Sequence, residues 1–437
     1  MANFPKDFIW GAASASYQIE GGVREGGRGT SIWDTFSHTP GKIRDGDTGD
    51  LAADSFHRWR EDVQLARGMG LSAYRFSVAW PRIAPQGDTN WNQAGLDYYL
   101  ELIDALLEAD IQPWVTLYHW DLPQALQDKG GWQNEDTVRR FADYAARVGE
   151  ALQGRVTRWF TFNEPQCFIN VGCGTGEHAP GVCWSDGELE LCWNNFRRAH
   201  NLAFDLLHKL DPSSQVGLAS TGLVYYPVSD RPEDIEAARQ LTFSLPQGVR
   251  TFSHALALDE MDKLDFVGLN HYHGIPARMG PQGPEPVPFP VGGPSTAIGW
   301  PITPEALGWG ARFLYQRYQK PLYISENGLS CRDQVFLDGQ VHDPQRIDFL
   351  TRYLRALDRP LPAGPTCGDT FTGPLPTILS GPRATPSASA WPMWTTPPAG
   401  ASPRTAPPGT GRSSAPTGPA CKNGKGRPDG HPFFVCV

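Results

Sequence analysis

A chain of 437 residues with 40% apolar positions can bury the core of one large domain or two modest ones. Its net charge of −9 leaves no cationic surplus for phosphates, which excludes a dedicated nucleic-acid binder. No run of about eighteen apolar residues occurs, so no membrane span is expected, and the eight Cys, at irregular spacing without a Cys-x-x-Cys, form no metal or disulfide framework. The opening Met-Ala-Asn-Phe-Pro-Lys-Asp-Phe has no basic patch followed by an apolar stretch, which makes the cytoplasm the expected setting. Fifteen Trp, thirteen Tyr and twenty-one Phe would suit a protein that stacks on flat faces, sugars among them.

Short apolar runs recur along the chain at Phe8–Ala13, Tyr74–Val78, Trp114–Tyr118, Trp159–Phe162, Val216–Leu218, Phe266–Leu269 and Leu322–Ile324. Helical periodicity lies between or after them, at Leu96–Ala109, Thr137–Leu152, Phe196–Leu210 and Arg346–Leu357. Strand–helix alternation of this length predicts an α/β fold with a parallel sheet, and about seven repeats favour a (β/α)8 TIM barrel over an open sheet. The glycine-rich Gly21–Gly27 stretch lacks the strand–turn–helix frame of a dinucleotide site and reads as plain loop.

In a parallel barrel the C-terminal ends of the strands meet at one mouth, so polar residues that close apolar runs are the candidates for chemistry. Gln18 follows the first run, and Arg75 lies in the second. His119, Trp120 and Asp121 follow the third; Asn163 and Glu164 close the fourth; Asn270, His271 and Tyr272 follow the sixth; Glu326 and Asn327 close the seventh. Two carboxylates across one Trp-lined mouth are what glycosidic cleavage needs: one protonated to serve the leaving oxygen, one ionised to meet the sugar carbon. Arg75 is the candidate for keeping one of them ionised. His271 and His273 alone, with no further ligand at metal spacing beside them, are too few for a metal centre, so no metal site is expected. Cys167 and Cys173 lie just past Glu164 and Cys331 just past Glu326; against the alternative that they line the mouth, they read as loop or core thiols, with no thiol chemistry required.

Phe8-Ile9-Trp10-Gly11-Ala12-Ala13 with Gln18-Ile19-Glu20-Gly21, Tyr74-Arg75-Phe76-Ser77, Tyr118-His119-Trp120-Asp121-Leu122-Pro123, Thr161-Phe162-Asn163-Glu164-Pro165 and Tyr323-Ile324-Ser325-Glu326-Asn327-Gly328 together resemble glycoside hydrolase family 1, the β-glucosidase family, over about residues 4–357. The resemblance implies a TIM barrel and retaining hydrolysis of terminal β-glucosides or short β-linked oligosaccharides, without metal or organic cofactor. It implies Glu164 as acid/base and Glu326 as nucleophile. Gln18, His119 and Asn163 would bind the inner sugar, with Trp120 at its wall. Tyr272 would donate to the nucleophile, Arg75 would be its cationic partner, Asn270 a polar neighbour, and Trp300 would stack on the aglycone. An acid at 164 sets the chain apart from the thioglucosidase branch, which resembles it otherwise.

After Arg359 the composition changes. Seventeen of the forty Pro fall between Pro360 and Pro432, and only Asp369 and Asp429 are acidic. At face value residues 359–437 are a Pro/Gly-rich disordered tail, and residues 1–358 hold seven of eight barrel units. The family's eighth strand carries a Trp-Ser-Leu-x-Asp-Asn-Phe-Glu-Trp motif that is missing here. Permitted codons for Gly373–Arg383, read one base earlier, can spell Trp-Ser-Leu-Thr-Asp-Asn-Phe-Glu-Trp-Ala-Glu. The tail therefore reads as an out-of-frame translation, and the loss of the eighth unit is expected to leave an open seam and an impaired enzyme. Two alternatives stand beside this: a sugar-binding pseudoenzyme, and a phospho-β-glycosidase, for which the acidic residue of the recovered frame would repel the phosphate.

Overall fold

The computed structural model describes Phe4, residues 8–358 apart from Asp333, and the backbone of residues 378–380. Eight parallel strands close into a barrel: β1 (Trp10–Ala13), β2 (Ala73–Ser77), β3 (Gln112–Tyr118), β4 (Arg158–Asn163), β5 (Gln215–Ser220), β7 (Phe266–Asn270), β10 (Leu322–Asn327) and β11 (Ile378–Ser380). Each of the seven apolar runs contains or overlaps one of the first seven. The predicted helices are present as Gln93–Glu108, Glu135–Leu152, Asp186–Leu210 and Pro344–Asp358. A smaller sheet of β6 (Val224–Pro227), β8 (Gly274–Gly280) and β9 (Gly283–Pro286) stands outside the barrel. It escaped the sequence reading because its Gly and Pro interrupt the alternation that marks a strand.

One expectation is corrected. The seam between the first and seventh barrel strands is not open: Ile378, Leu379 and Ser380 pair with Trp10, Gly11 and Ala12 of β1, and Ile378 and Ser380 with Ile324 and Asn327 of β10. Barrel ladders are made by main-chain N–H and C=O groups, so two unpaired edges accept an extended segment whatever its side chains. Ile378 and Leu379 supply the short apolar stretch of this segment. The expected disorder of the remaining tail, and the helix of the eighth unit, lie outside the described residues.

The barrel floor is a plug of rings. Trp114, Phe160 and Phe266 are buried with Ala13, Ala73 and Ala219, and Tyr323 packs against them. Phe160 meets Phe266 edge-on at 5.1 Å, and Trp114 meets Tyr323 at 4.8 Å. Glycines make room for the rings: a Cβ on Gly217 would lie 2.4 Å from the Phe266 ring, and one on Gly268 2.6 Å from that of Phe160. The Arg75 guanidinium rests over Phe160, 4.5 Å from the ring centre. The floor thus sets the height of the Arg75 cation in the candidate site. Among the described residues no helix is long and apolar enough to cross a membrane.

Candidate active site

Arg75, buried on β2, can only donate, and this fixes the direction of the network above the floor. Its Nε donates to Thr116 Oγ1 (3.0 Å), Nη1 to Glu326 Oε1 (2.8 Å) and Nη2 to Asn163 Oδ1 (2.7 Å). Asn163 must therefore present its amide nitrogen to His119 Nε2 (3.1 Å). Asn163 Oδ1 also receives Asn270 Nδ2 (3.0 Å), which reaches Glu164 Oε1 as well (2.7 Å). Ser325 Oγ donates to Asn270 Oδ1 at 2.6 Å and completes the orientation of that amide. Glu326 Oε2 receives the Tyr272 hydroxyl at 2.5 Å.

An unbroken chain, Glu326–Arg75–Asn163–Asn270–Glu164, thus joins the carboxylates of β10 and of the residue after β4. Glu326 meets a cation and a phenol, interactions suited to a carboxylate. Glu164, fully buried, meets a neutral amide and the Cys167 thiol (3.1 Å). The two environments differ in the sense that acid and nucleophile chemistry requires.

Glu164 has φ +46 and Trp120 φ +70, a left-handed region costly for side chains of their size. Both residues stand just past a strand end, where the chain turns sharply. Glu164 is pinned there by its N–H to Ala219 O (2.8 Å) and its O from Cys167 N–H (2.9 Å). Trp120 is held by Nε1 donating to Asn163 O (2.9 Å), and its ring stacks on Trp33 at 6.4 Å. Gln18 lies in the short helix Ser16–Ile19 just after β1. Trp300 packs its ring 5.4 Å from Tyr272, next to the Glu326 end.

The structure therefore brings together Arg75, His119, Trp120, Asn163, Glu164, Asn270, Tyr272 and Glu326, with Trp300 at their side. Sequence reading missed Thr116, Ser325 and Phe160, which orient this set from below. It also missed that Cys167, a core residue as expected, turns its sulfur to Glu164. Thr116 and Phe160 lie within apolar strand runs and gave no polar-terminus signal. Ser325 could have been found as the residue beside Glu326.

Burial governs the titratable groups nearby. It pushes the Asp121 carboxyl up to about 7, with Ser16 Oγ donating to Oδ2 (2.8 Å) in opposition. It pushes His178 and His200 down to about 4 and His254 to about 3. His119 lies well below the ordinary value through burial and then Arg75, and His271 through burial and then His273 and His254. Unfolded, these rings bind a proton below pH 6.5; folded, they stay neutral, so their stability is full above 6.5 and lost as pH falls. Asp121 acts oppositely between about 7 and 3.8. So, in sign, do His38, His57, Asp62 and Glu177, which are also shifted up but are less buried and contribute less than the five buried rings. At about 1.4 kcal/mol per group per pH unit, several kcal/mol vanish between pH 6.5 and 5.5. Calorimetry should show Tm falling steeply over that interval; a flat or rising Tm would count against neutral buried imidazoles.

The description Glycosyl hydrolase family 1 matches residues 1–257 and 251–364. Beta-glucosidase A of Thermotoga maritima is 41% identical over 378 residues, covering 80% of this chain and 84% of that protein. The 1,4-beta-D-glucan glucohydrolase of Thermotoga neapolitana is 39% identical over 391 residues, covering 83% of this chain and 91% of that protein. A solved structure of the Thermotoga maritima beta-glucosidase in complex with glucoimidazole superposes with TM-score 0.72 at 40% identity, covering 82% of this chain and 86% of that one. With the barrel, the paired carboxylates and these similarities in agreement, the chain belongs to glycosyl hydrolase family 1.

Proposed function

We propose that the fold is built for retaining hydrolysis of terminal β-D-glucosidic bonds in the cytoplasm, on β-glucosides or short β-linked oligosaccharides. The observation that carries the reading is the hydrogen-bonded chain from Glu326 to Glu164 through Arg75, Asn163 and Asn270. Glu326, between Arg75 and Tyr272, attacks the anomeric carbon as the glycosidic C–O bond breaks. Glu164 gives its proton to the departing oxygen. Water then attacks the glycosyl–Glu326 ester, loses its proton to Glu164, and frees Glu326. His119, Asn163 and Gln18 bind the sugar, Trp120 walls it, and Trp300 meets the aglycone. The His119 ring, which accepts from Asn163 at Nε2, is neutral with its proton on Nδ1.

One observation favours a second reading, binding with weak or no turnover. The slot of the eighth strand holds Ile378-Leu379-Ser380, without the acid that the family places there to grip two hydroxyls. On this proposal residues 1–358 are the hydrolase part, residues 359–437 are an out-of-frame translation, and the present chain is impaired. A 2-deoxy-2-fluoro-β-glucoside with a good leaving group separates the readings. In a chain with the frame restored, the peptide containing Glu326 gains the fluoroglucosyl mass. No label there, or a label on Glu164, would refute the double displacement. Labelling of the present chain at an equal rate would remove the impairment.

A further inference from the structure

The network's direction decides which oxygen of Glu164 can carry a proton. Asn270 Nδ2 has two hydrogens; one goes to Asn163 Oδ1, which Arg75 forces to be an acceptor, and the other to Glu164 Oε1. Oε1 therefore faces a donor in every protonation state, and a proton placed there would oppose an N–H. The transferable proton belongs on Oε2. That oxygen lies 3.1 Å from Cys167 Sγ, in the helical turn that starts at Gln166, and Cys167 is fully buried.

We propose that Cys167 is a positioning residue for the acid: its thiol holds the Oε2 edge of Glu164, the edge from which the proton leaves and to which it returns. The inference rests on the reading of Glu164 as acid/base. An S–H is a weak donor, but it bonds an ionised carboxylate oxygen better than a protonated one, so the contact favours the ionised form. It thereby stabilises Glu164 after it has given up its proton. The turn also fixes the carboxyl's aim, since Cys167 N–H holds Glu164 O while its Sγ holds the side chain. Neighbouring groups among the described residues act differently. Asn270 on β7 is neutral, Arg75 on β2 and Glu326 on β10 act through Asn163, and His119 after β3 is kept neutral by burial. On the far side, Ser220 of β5 engages His254, which burial also keeps neutral.

The test is a carboxyl titration of the full chain, labelled with 13C at Glu Cδ and read by NMR, which requires no turnover. The Glu164 signal is the one missing in Glu164→Gln. Cys167→Ala should raise its midpoint by about half a pH unit, and Cys167→Ser, with a stronger O–H donor, should lower it. A purely space-filling thiol predicts no such opposed pair, and an unchanged or lowered midpoint in Cys167→Ala overturns the proposal. Should neither variant fold, the wild-type chain decides through its S–H infrared stretch. One component must shift in step with the Glu164 titration; invariance of every component overturns the proposal. Failure of the acid/base reading shows separately, as unchanged turnover in frame-restored Glu164→Gln.

Discussion

Rejoining the segment after Arg359 in the frame read one base earlier raises kcat/KM on an aryl β-glucoside by at least about a hundredfold. The recovered strand would place an acid in the slot that Ile378–Ser380 fills now, between β1 and β10. Hydrogen bonds to a charged group contribute about 1.5–3 kcal/mol each, so two hydroxyls gripped by that acid give about 3–6 kcal/mol. Each 1.4 kcal/mol is about tenfold in rate when expressed in the transition state. Main-chain pairing already closes the barrel, so the gain comes from side chains, and the two proteins should differ more in turnover than in helix content by circular dichroism. Equal kcat/KM for the two would remove the tail as a cause of impairment. Sequencing the gene across the codons for Leu357–Pro365 tests the origin directly.

In the frame-restored protein, Glu326→Ala loses at least about 10⁴-fold in kcat, since removing a catalytic nucleophile commonly costs 10⁴ to 10⁶. The loss does not come from unfolding. Arg75 keeps Asn163 and Thr116 as partners, although it becomes an unpaired cation over Phe160 and the variant sheds some stability. Azide should restore part of the rate by entering the vacated volume and attacking the anomeric carbon, giving an α-glycosyl azide. The product's anomeric configuration, read by NMR, checks this. A variant that keeps more than a tenth of wild-type kcat would mean another group attacks.

The barrel and its site were legible to different depths. Seven strands stood out because buried parallel strands are continuous apolar runs, and Glu164 and Glu326 because a carboxylate closing such a run is out of place. The accessory sheet was hidden by its glycines and prolines. Thr116 and Ser325 were hidden because a hydroxyl inside a strand reads as packing. Cys167 shows the limit most plainly: its place just past Glu164 left both the mouth and a loop or core position open, and the fold, with Glu164 in a left-handed conformation, brings its sulfur against the carboxyl. The strand at Ile378–Ser380 was missed because composition argued against order, whereas two open ladder edges need only three extended residues.

The floor of Trp114, Phe160, Phe266 and Tyr323 makes the reaction chamber a cul-de-sac. A long polymer cannot be threaded through it, so under the proposed reaction only a chain's tip would fit and units would come off singly. On that proposal the aglycone, nearer the opening, would depart first, and the liberated sugar would then leave by the doorway its successor needs. Monosaccharide retained there competes directly with fresh substrate, so the traffic problem is built into the masonry of the barrel.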